Sequence, residues 1–505
     1  MISSNRSIFD DALLDAKSFY NSAFDLSAIR VKQIEIKDSD QELLRSGEKI
    51  LPRQIGSIIE SGGGHLRSQK LGRNLLDSFA LIFAQPRAKG VVATAMERSS
   101  ENPDNFTLWV AGNSVEDCPV LDLEQEIMHW FTTRELHKIF SSGYHIDEPN
   151  LENHLWNSIL QNCYPSICIT LEKVYYIKLE KGPELENIQT WIQGGVDSVQ
   201  SHDITYQEDV LNTLQFILDQ LDAFFLKGLN PKIGVAQRWK NDNYTIMKFL
   251  DTITMQCFLL LESYEEPMRE LFKHCLKNLH EEGRLWLKII RRLIYVMASY
   301  CQAWYDMVRF KRTYSSATLY IECIPKSGYS TSNPVILADR FKEDAETEIY
   351  QREEEEMFNR GFSHLQLPKE SAEHRPLVHC EMRILDFLLR TPNPNDFFNY
   401  IGCSKGPCWL CYHTLKYMAP EIGMRAPHWK LYPAWGPPRF QESSHHREHF
   451  IEILLFLDKR IKDLLNSAGN SPQETHRYSG CESDCPDVEY RFLSPRTQSM
   501  HWLGQ

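Results

Sequence analysis

The chain has 505 residues, is 42% hydrophobic and 24% charged, and carries a formal net charge of −13. That length suits two or three domains with sizeable cores, and the composition is that of an ordinary globular protein. The acidic balance argues against sequence-independent binding to duplex nucleic acid, which draws most of its affinity from Lys and Arg set against phosphates; it still admits a single base or nucleotide in a pocket.

The opening stretch, "MISSNRSIFDDALLD", lacks the basic start, apolar run and small-residue cleavage site of a secretory signal. No stretch reaches the roughly 18 uncharged apolar residues of a membrane span. The longest apolar region, "LWLKIIRRLIYVMASYCQAWYDM", is broken by Lys288, Arg291 and Arg292. Thirteen cysteines, an odd number in a chain of this kind, predict reduced thiols. The expected location is therefore intracellular, cytoplasmic or nuclear, with no membrane partner.

Residues 1–60 carry short amphipathic pieces such as "FDDALLDAKSFYNSAF" and read as a helical N-terminal extension. "SGGGHLRSQK" reads as a flexible loop, its glycines matching neither a Walker A pattern nor a full G-x-G-x-x-G. Leu71, Leu75, Phe79 and Ile82 then fall at helical spacing, predicting a helix over 68–85 that Pro86 ends. Val91–Met96 and Phe106–Ala111 read as two strands joined by a polar turn, an antiparallel hairpin.

From about 120 to 312 most segments have a helical period, with Met and aromatic stripes that serve as core. "SATLYIECIP" (316–325) reads as a strand, and "EDAETEIYQREEEEMF" as an acidic helix or linker. Farther on, one helix starts near His379, "DFFNYIGCS" reads as a buried strand, and a second helix starts near Cys408. "WKLYPAW" reads as a further strand, and "HREHFIEILLFLDKRIKDLLNSA" is an amphipathic helix. Strand–helix alternation of this kind predicts an α/β sheet. From 469 onward the chain is polar and disorder is expected.

Two fragments carry chemistry, "HCE" at 379–381 and "PCWLC" at 407–411. In the first turn of a helix the sulfurs of Cys408 and Cys411 can converge, and the helix N-terminus favours thiolates. His379 adds a neutral imidazole. One nitrogen and two sulfurs suit Zn²⁺ and leave a fourth tetrahedral position for water, the pattern of a catalytic zinc site. With His379 at a non-helical cap position, Glu381 would face the same point, where a carboxylate can move a proton from water to a leaving amine. Cys380 between them is expected to be a spectator.

H-x-E followed by P-C-x-x-C is the signature of zinc-dependent nucleobase deaminases. "HCEMRILDFL" and "YIGCSKGPCWLC" resemble the metal-site motifs of the cytidine deaminase-like superfamily, and specifically a deaminase-like family common in fungi. Cys380 departs from the H-A-E usual there. The resemblance implies zinc ligands at His379, Cys408 and Cys411, Glu381 as proton shuttle, and Asn113, at the end of the second strand, near the substrate. It implies an α-β-α sandwich, a mixed sheet with helices on both faces, interrupted by a large all-α insertion. The expected plan is an extension over 1–60, a first part of the deaminase-like domain over 61–119, a mainly helical insertion over 120–370, a second part over 371–468 and a tail over 469–505. The implied reaction is hydrolytic deamination of a cytosine- or adenine-type base, free, as a nucleotide or in single-stranded nucleic acid.

The rival reading keeps fold and zinc without catalysis, the helical block binding a protein partner. Cys403 or His413 as a fourth ligand would make the zinc structural, but Cys403 ends a strand and His413 points elsewhere on a regular helix. Cys403, Cys408 and Cys411 also have a ferredoxin-like spacing. The next cysteine after them is Cys481, which with Cys485 lies in the tail.

Overall fold

The structure, a computed structural model, describes residues 8–27, 65–84, 91–113, 121–132, 151–180, 209–210, 212–221, 243–278, 281–324, 335–336, 373–374, 377–391, 393, 396–427, 431–432, 435–438, 440 and 445–469. Pro86, the glycines at 62–64, the acidic segment 343–358 and the tail with Cys481 and Cys485 lie outside these residues.

In chain order the helices are α1 (Ile8–Asp11), α2 (Ala16–Ser27), α3 (His65–Phe83), α4 (Leu121–Thr132), α5 (Leu151–Glu180), α6 (Asn243–Asn278), α7 (Glu281–Thr313), α8 (Cys380–Arg390), α9 (Trp409–Met418) and α10 (His445–Gly469). The strands are β1 (Val92–Arg98), β2 (Asn105–Gly112), β3 (Thr318–Cys323), β4 (Val335–Ile336), β5 (Glu373–His374), β6 (Leu377–Val378), β7 (Tyr400–Cys403), β8 (Gly423–Met424) and β9 (Trp435–Gly436). The chain forms two compact units, one holding the described residues up to Leu155 and from Asp306 onward, the other Trp156–Tyr305. The whole is mixed α/β, mostly helical with one mixed sheet.

The first unit is organised by a five-stranded sheet in the order β3-β2-β1-β7-β8. β1 pairs antiparallel with β2, Val92 opposite Gly112, and with β7, Ala93 opposite Cys403. β2 and β3 are parallel, as are β7 and β8. β1 thus runs against the other four, and the carboxyl ends of β2, β3, β7 and β8 share one end of the sheet. Crevices at such strand ends are where open α/β sheets place their ligands.

Side-chain alternation along β1 divides its neighbours. The Thr94 hydroxyl donates to the Leu76 carbonyl of α3 (2.9 Å), whereas Ala93 and Ala95 share a buried core with Ile384 and Leu385 of α8. Small residues on the strand let helices approach. The same applies at Gly402 of β7, where an added Cβ would lie 2.4 Å from the backbone of Leu76.

Several sequence expectations are altered here. α3 begins at His65, so "HLRSQK" is helix rather than loop. Once Leu71 and Leu75 are buried, Leu, Arg, Gln and Lys are good enough helix formers to extend the element toward its N-terminus. The strand expected at 316–325 forms as β3 and joins the sheet beside β2. Trp429, Lys430, Pro433 and Ala434 of "WKLYPAW" lie outside the described residues, and its Trp435 opens the two-residue β9, which pairs in parallel with β6 just before His379. Eight cysteines among the described residues are free, as expected of reduced thiols, whereas Cys323 is disulfide-bonded; a disulfide needs two Cα atoms within about 7 Å, a tertiary proximity that spacing along the chain does not encode.

Near the chain start, α1 meets α10 through Arg447, whose Nη2 lies 2.6 Å from Asp11 Oδ2. Lys311, at the end of α7, is buried and its Nζ donates to the carbonyls of Phe131 and Ala317, fixing the approach to β3. In the second unit Trp156 packs on Trp304 and donates from Nε1 to Asp251 (2.7 Å).

Candidate active site

α8 buries Met382, Ile384, Leu385 and Leu388, which fixes the helix to the sheet. His379 occupies its N-cap position with extended backbone (φ −64°, ψ 153°), and its side chain makes no capping bond. Cap residues ordinarily use a side-chain oxygen to satisfy the first helical N–H groups. Here that acceptor comes from elsewhere: Asn113, just past β2, accepts the Cys380 N–H on Oδ1 at 2.7 Å. The imidazole is thereby released for another task. Arg383, one turn into α8, donates from Nη1 to the Gly112 carbonyl (2.5 Å) and from Nη2 to the Ile324 carbonyl. The first turn of α8 is therefore tied to the carboxyl ends of both β2 and β3.

The second arm comes from α9. Cys408 is its N-cap, extended at φ −71° and ψ 167°, and its Sγ accepts the Cys411 N–H at 3.4 Å. This local turn brings both sulfurs to the positive end of the helix. His379 Nδ1 lies 3.6 Å from Cys408 Sγ and 3.4 Å from Cys411 Sγ. The three donor atoms all lie within 4.8 Å of one another. Glu381 reaches the edge of this group, its Oε2 standing 4.0 Å from Cys411 Sγ. The carboxylate is almost wholly buried, 3% exposed.

Protonation follows from that burial. Burial opposes the Cys408 thiolate, but hydrogen bonding with Cys411 and the charge of His379 outweigh it and hold this thiol well below its usual range. Burial, and then Cys408 itself, pushes Cys411 well up. Burial lowers His379, yet the Cys408 and Glu381 charges raise it further, for a net upward shift. Glu381 is pushed up by burial against the pull of His379. Several proton-exchanging donors meet at one point, from which a bound cation would displace protons.

The donor set fits zinc. With Zn–S near 2.3 Å and Zn–N near 2.0–2.1 Å, a tetrahedral centre separates N from S by about 3.5–3.6 Å. The two measured N···S separations, 3.6 and 3.4 Å, are close to that value. Among the described residues this is the one cluster of three or more such side chains that could hold a metal ion. Cys403 and His413 are not in it: the Cys403 thiol points to the Ile401 carbonyl (3.7 Å), and the His413 ring packs against Trp409.

Cys380, expected to be a spectator, lies outside the cluster of possible metal ligands. It is fully buried, and its Sγ donates to Glu381 Oε2 at 3.4 Å. Sequence reasoning also missed Arg383 and Tyr432. A charged residue four positions after His379, inside an apolar helix, was a signal that the helix buries a cation against something polar. Tyr432 stands edge-on to the His379 ring, centroids 5.9 Å apart, and is 43% exposed; nothing in its spacing marked it.

A family model for a deaminase, OTT_1508_deam, matches residues 378–439, a range that takes in both arms of the cluster. This stretch is deaminase-like. The cytidine deaminase-like superfamily is consistent with that match. No curated protein and no solved structure matches the chain. The deaminase-like stretch holds His379, Glu381, Cys408 and Cys411, while Asn113 and the hairpin lie outside the matched range. No described helix is long and apolar enough to cross a membrane.

Proposed function

We propose that the deaminase-like domain is a zinc-dependent hydrolytic deaminase acting on a cytosine- or adenine-type base, free, as a nucleotide or in single-stranded nucleic acid. The observation that carries this reading is the convergence of His379 Nδ1 with two cysteine sulfurs at 3.6 and 3.4 Å, with the buried Glu381 carboxylate beside them. His379, Cys408 and Cys411 would hold the metal, which when bound acidifies water and polarises the atoms it touches. Glu381 takes a proton from the attacking water and delivers one to the departing amine, so that R–NH₂ and water become the oxo base and ammonia. Its burial favours the proton-carrying form needed midway through that exchange. Asn113 serves twice. Its Oδ1 is committed to α8, and its carboxamide nitrogen would donate to the substrate.

The same reading covers the architecture. Alternate residues of β1 serve α3 and α8, as an α-β-α sandwich requires. Residues 61–119 and 371–468 would supply one domain, joined by the β1–β7 pairing, with 120–370 inserted between them and β3 its returning strand.

The test is metal analysis together with ammonia release over a panel of bases, nucleosides, nucleotides and oligonucleotides. One zinc per chain is expected, and Glu381→Ala should keep the metal while losing at least about 100-fold in turnover. Stoichiometric zinc without Glu381-dependent release on any substrate would overturn the enzymatic reading in favour of a zinc-bearing binding module. Absence of zinc would overturn the metal site.

A further inference from the structure

The metal ligands stand on two arms, and the cysteine arm leaves the sheet at Cys403 to reach Cys408 through residues 404–407. Its ladder support is slight: β7 pairs with β1 at Ala93–Cys403 and Thr94–Gly402, and with β8 at Tyr400–Gly423 and Ile401–Met424. Where the ladder ends, side chains take over. Asp77 of α3 accepts the Cys403 N–H on Oδ1 (2.9 Å) and the Tyr400 hydroxyl on Oδ2 (2.9 Å). Arg425, immediately after β8, donates from Nη1 to the Cys403 carbonyl (2.8 Å) and to the Ser404 carbonyl (3.3 Å). Its Nε lies 3.8 Å from Asp77 Oδ2. The Ser404 N–H donates to the Val92 carbonyl at 3.0 Å, and its Oγ accepts the Val92 N–H at 3.0 Å. Every backbone donor and acceptor of Cys403 and Ser404 is thus held, the Cys403 pair and the Ser404 carbonyl by these two charged side chains.

We infer that Asp77 and Arg425 are a positioning pair that presets the cysteine arm, so that Cys408 and Cys411 already face His379 before a metal arrives; this rests on the metal site proposed above. A half-buried ion pair contributes little net stability, because desolvation offsets its attraction. Holding the outlet of a short strand is a different service. It restricts where the α9 N-terminus can sit, and outer partners of this kind are commonly worth about 10–100-fold in metal affinity. Arginine suits the place because one planar fork spans Asp77 and two carbonyls at once, which an ammonium cannot.

The experiment uses the full chain stripped of metal and titrated with Co²⁺ against a competing chelator, reading the thiolate-to-cobalt charge-transfer band and the visible bands that report tetrahedral geometry. Asp77→Asn and Arg425→Gln should each weaken cobalt binding about 10–100-fold and distort the tetrahedral spectrum. The double variant should be no weaker than the worse single one, since the two residues act as a unit, and Arg425→Lys should fall between wild type and Arg425→Gln. Lys462→Gln, which breaks the ion pair to Asp458 on α10, should leave cobalt binding unchanged. Folded variants with wild-type cobalt affinity and spectrum would overturn the positioning role, whatever their thermal midpoints. If Arg425→Gln does not fold, Arg425→Lys and Asp77→Asn decide by the same criterion. A wild-type chain with no thiolate–cobalt band would instead overturn the metal site itself.

Discussion

Replacing Asn113 by Ala removes the acceptor of the first N–H of α8. The helix start makes the loss specific: the Met382 and Arg383 N–H groups already turn back to the His379 carbonyl at 3.0 and 3.1 Å, and the His379 side chain gives no cap. Asn113 Oδ1, at 2.7 Å, is what satisfies Cys380. Losing a capping oxygen costs about 0.5–2 kcal/mol, and stranding a part-buried N–H costs about 1–3 kcal/mol. These describe one loss in two ways, so about 1–2 kcal/mol is expected, a factor of roughly 5–30 in the local opening equilibrium. Amide hydrogen exchange on a peptide spanning the start of α8 should accelerate by that factor, with α10 amides unchanged. Asn113→Asp keeps an acceptor and sets a negative charge at the positive end of the helix, so it should restore protection while losing the amide donor proposed for the substrate. Unchanged exchange in Asn113→Ala, or acceleration in Asn113→Asp equal to that in Asn113→Ala, would refute the capping role.

Three further outcomes are expected. Gly402→Ala would set a Cβ 2.4 Å from Leu76 backbone and 2.6 Å from Thr94 Oγ1, costing about 1–3 kcal/mol; an unchanged thermal midpoint would mean that α3 does not press on β7. Arg383→Met would strand the Gly112 and Ile324 carbonyls, costing about 1.5–3 kcal/mol for each charge-assisted bond lost; urea unfolding checks this, and a variant as stable as wild type would refute the clamp. His446, at the start of α10, is held below its ordinary value by burial and by the charges of His445 and His449, despite a hydrogen bond to the Leu389 backbone. The unfolded chain then takes up that proton first, so stability present above the ordinary histidine value of about 6.5 declines as pH falls through it. Exchange in the first turn of α10 should rise on acidification and lose that dependence in His446→Gln; a first turn insensitive to pH would contradict the assignment.

Much of the site was legible in short-range pattern. H-x-E and P-C-x-x-C are fixed spacings at helix starts, and a cap position has the same geometry wherever its helix sits; hence His379 with Glu381 and Cys408 with Cys411 could be paired by chemistry alone. The hairpin over 91–111 and the helix through Leu71, Leu75, Phe79 and Ile82 were likewise written in local periodicity. Other features depend on segments far apart in the chain. The oxygen that caps α8 comes from Asn113, the carbonyls that Arg383 holds end β2 and β3, and the pair that pins Cys403 joins α3 to the residue after β8. Local spacing sets which way a side chain points from its own element. Which charge or carbonyl it meets is set by sheet order and register, and here those were decided by β1 running against four mutually parallel strands, two of them its neighbours, which gathers the ends of distant strands around the same two helix starts.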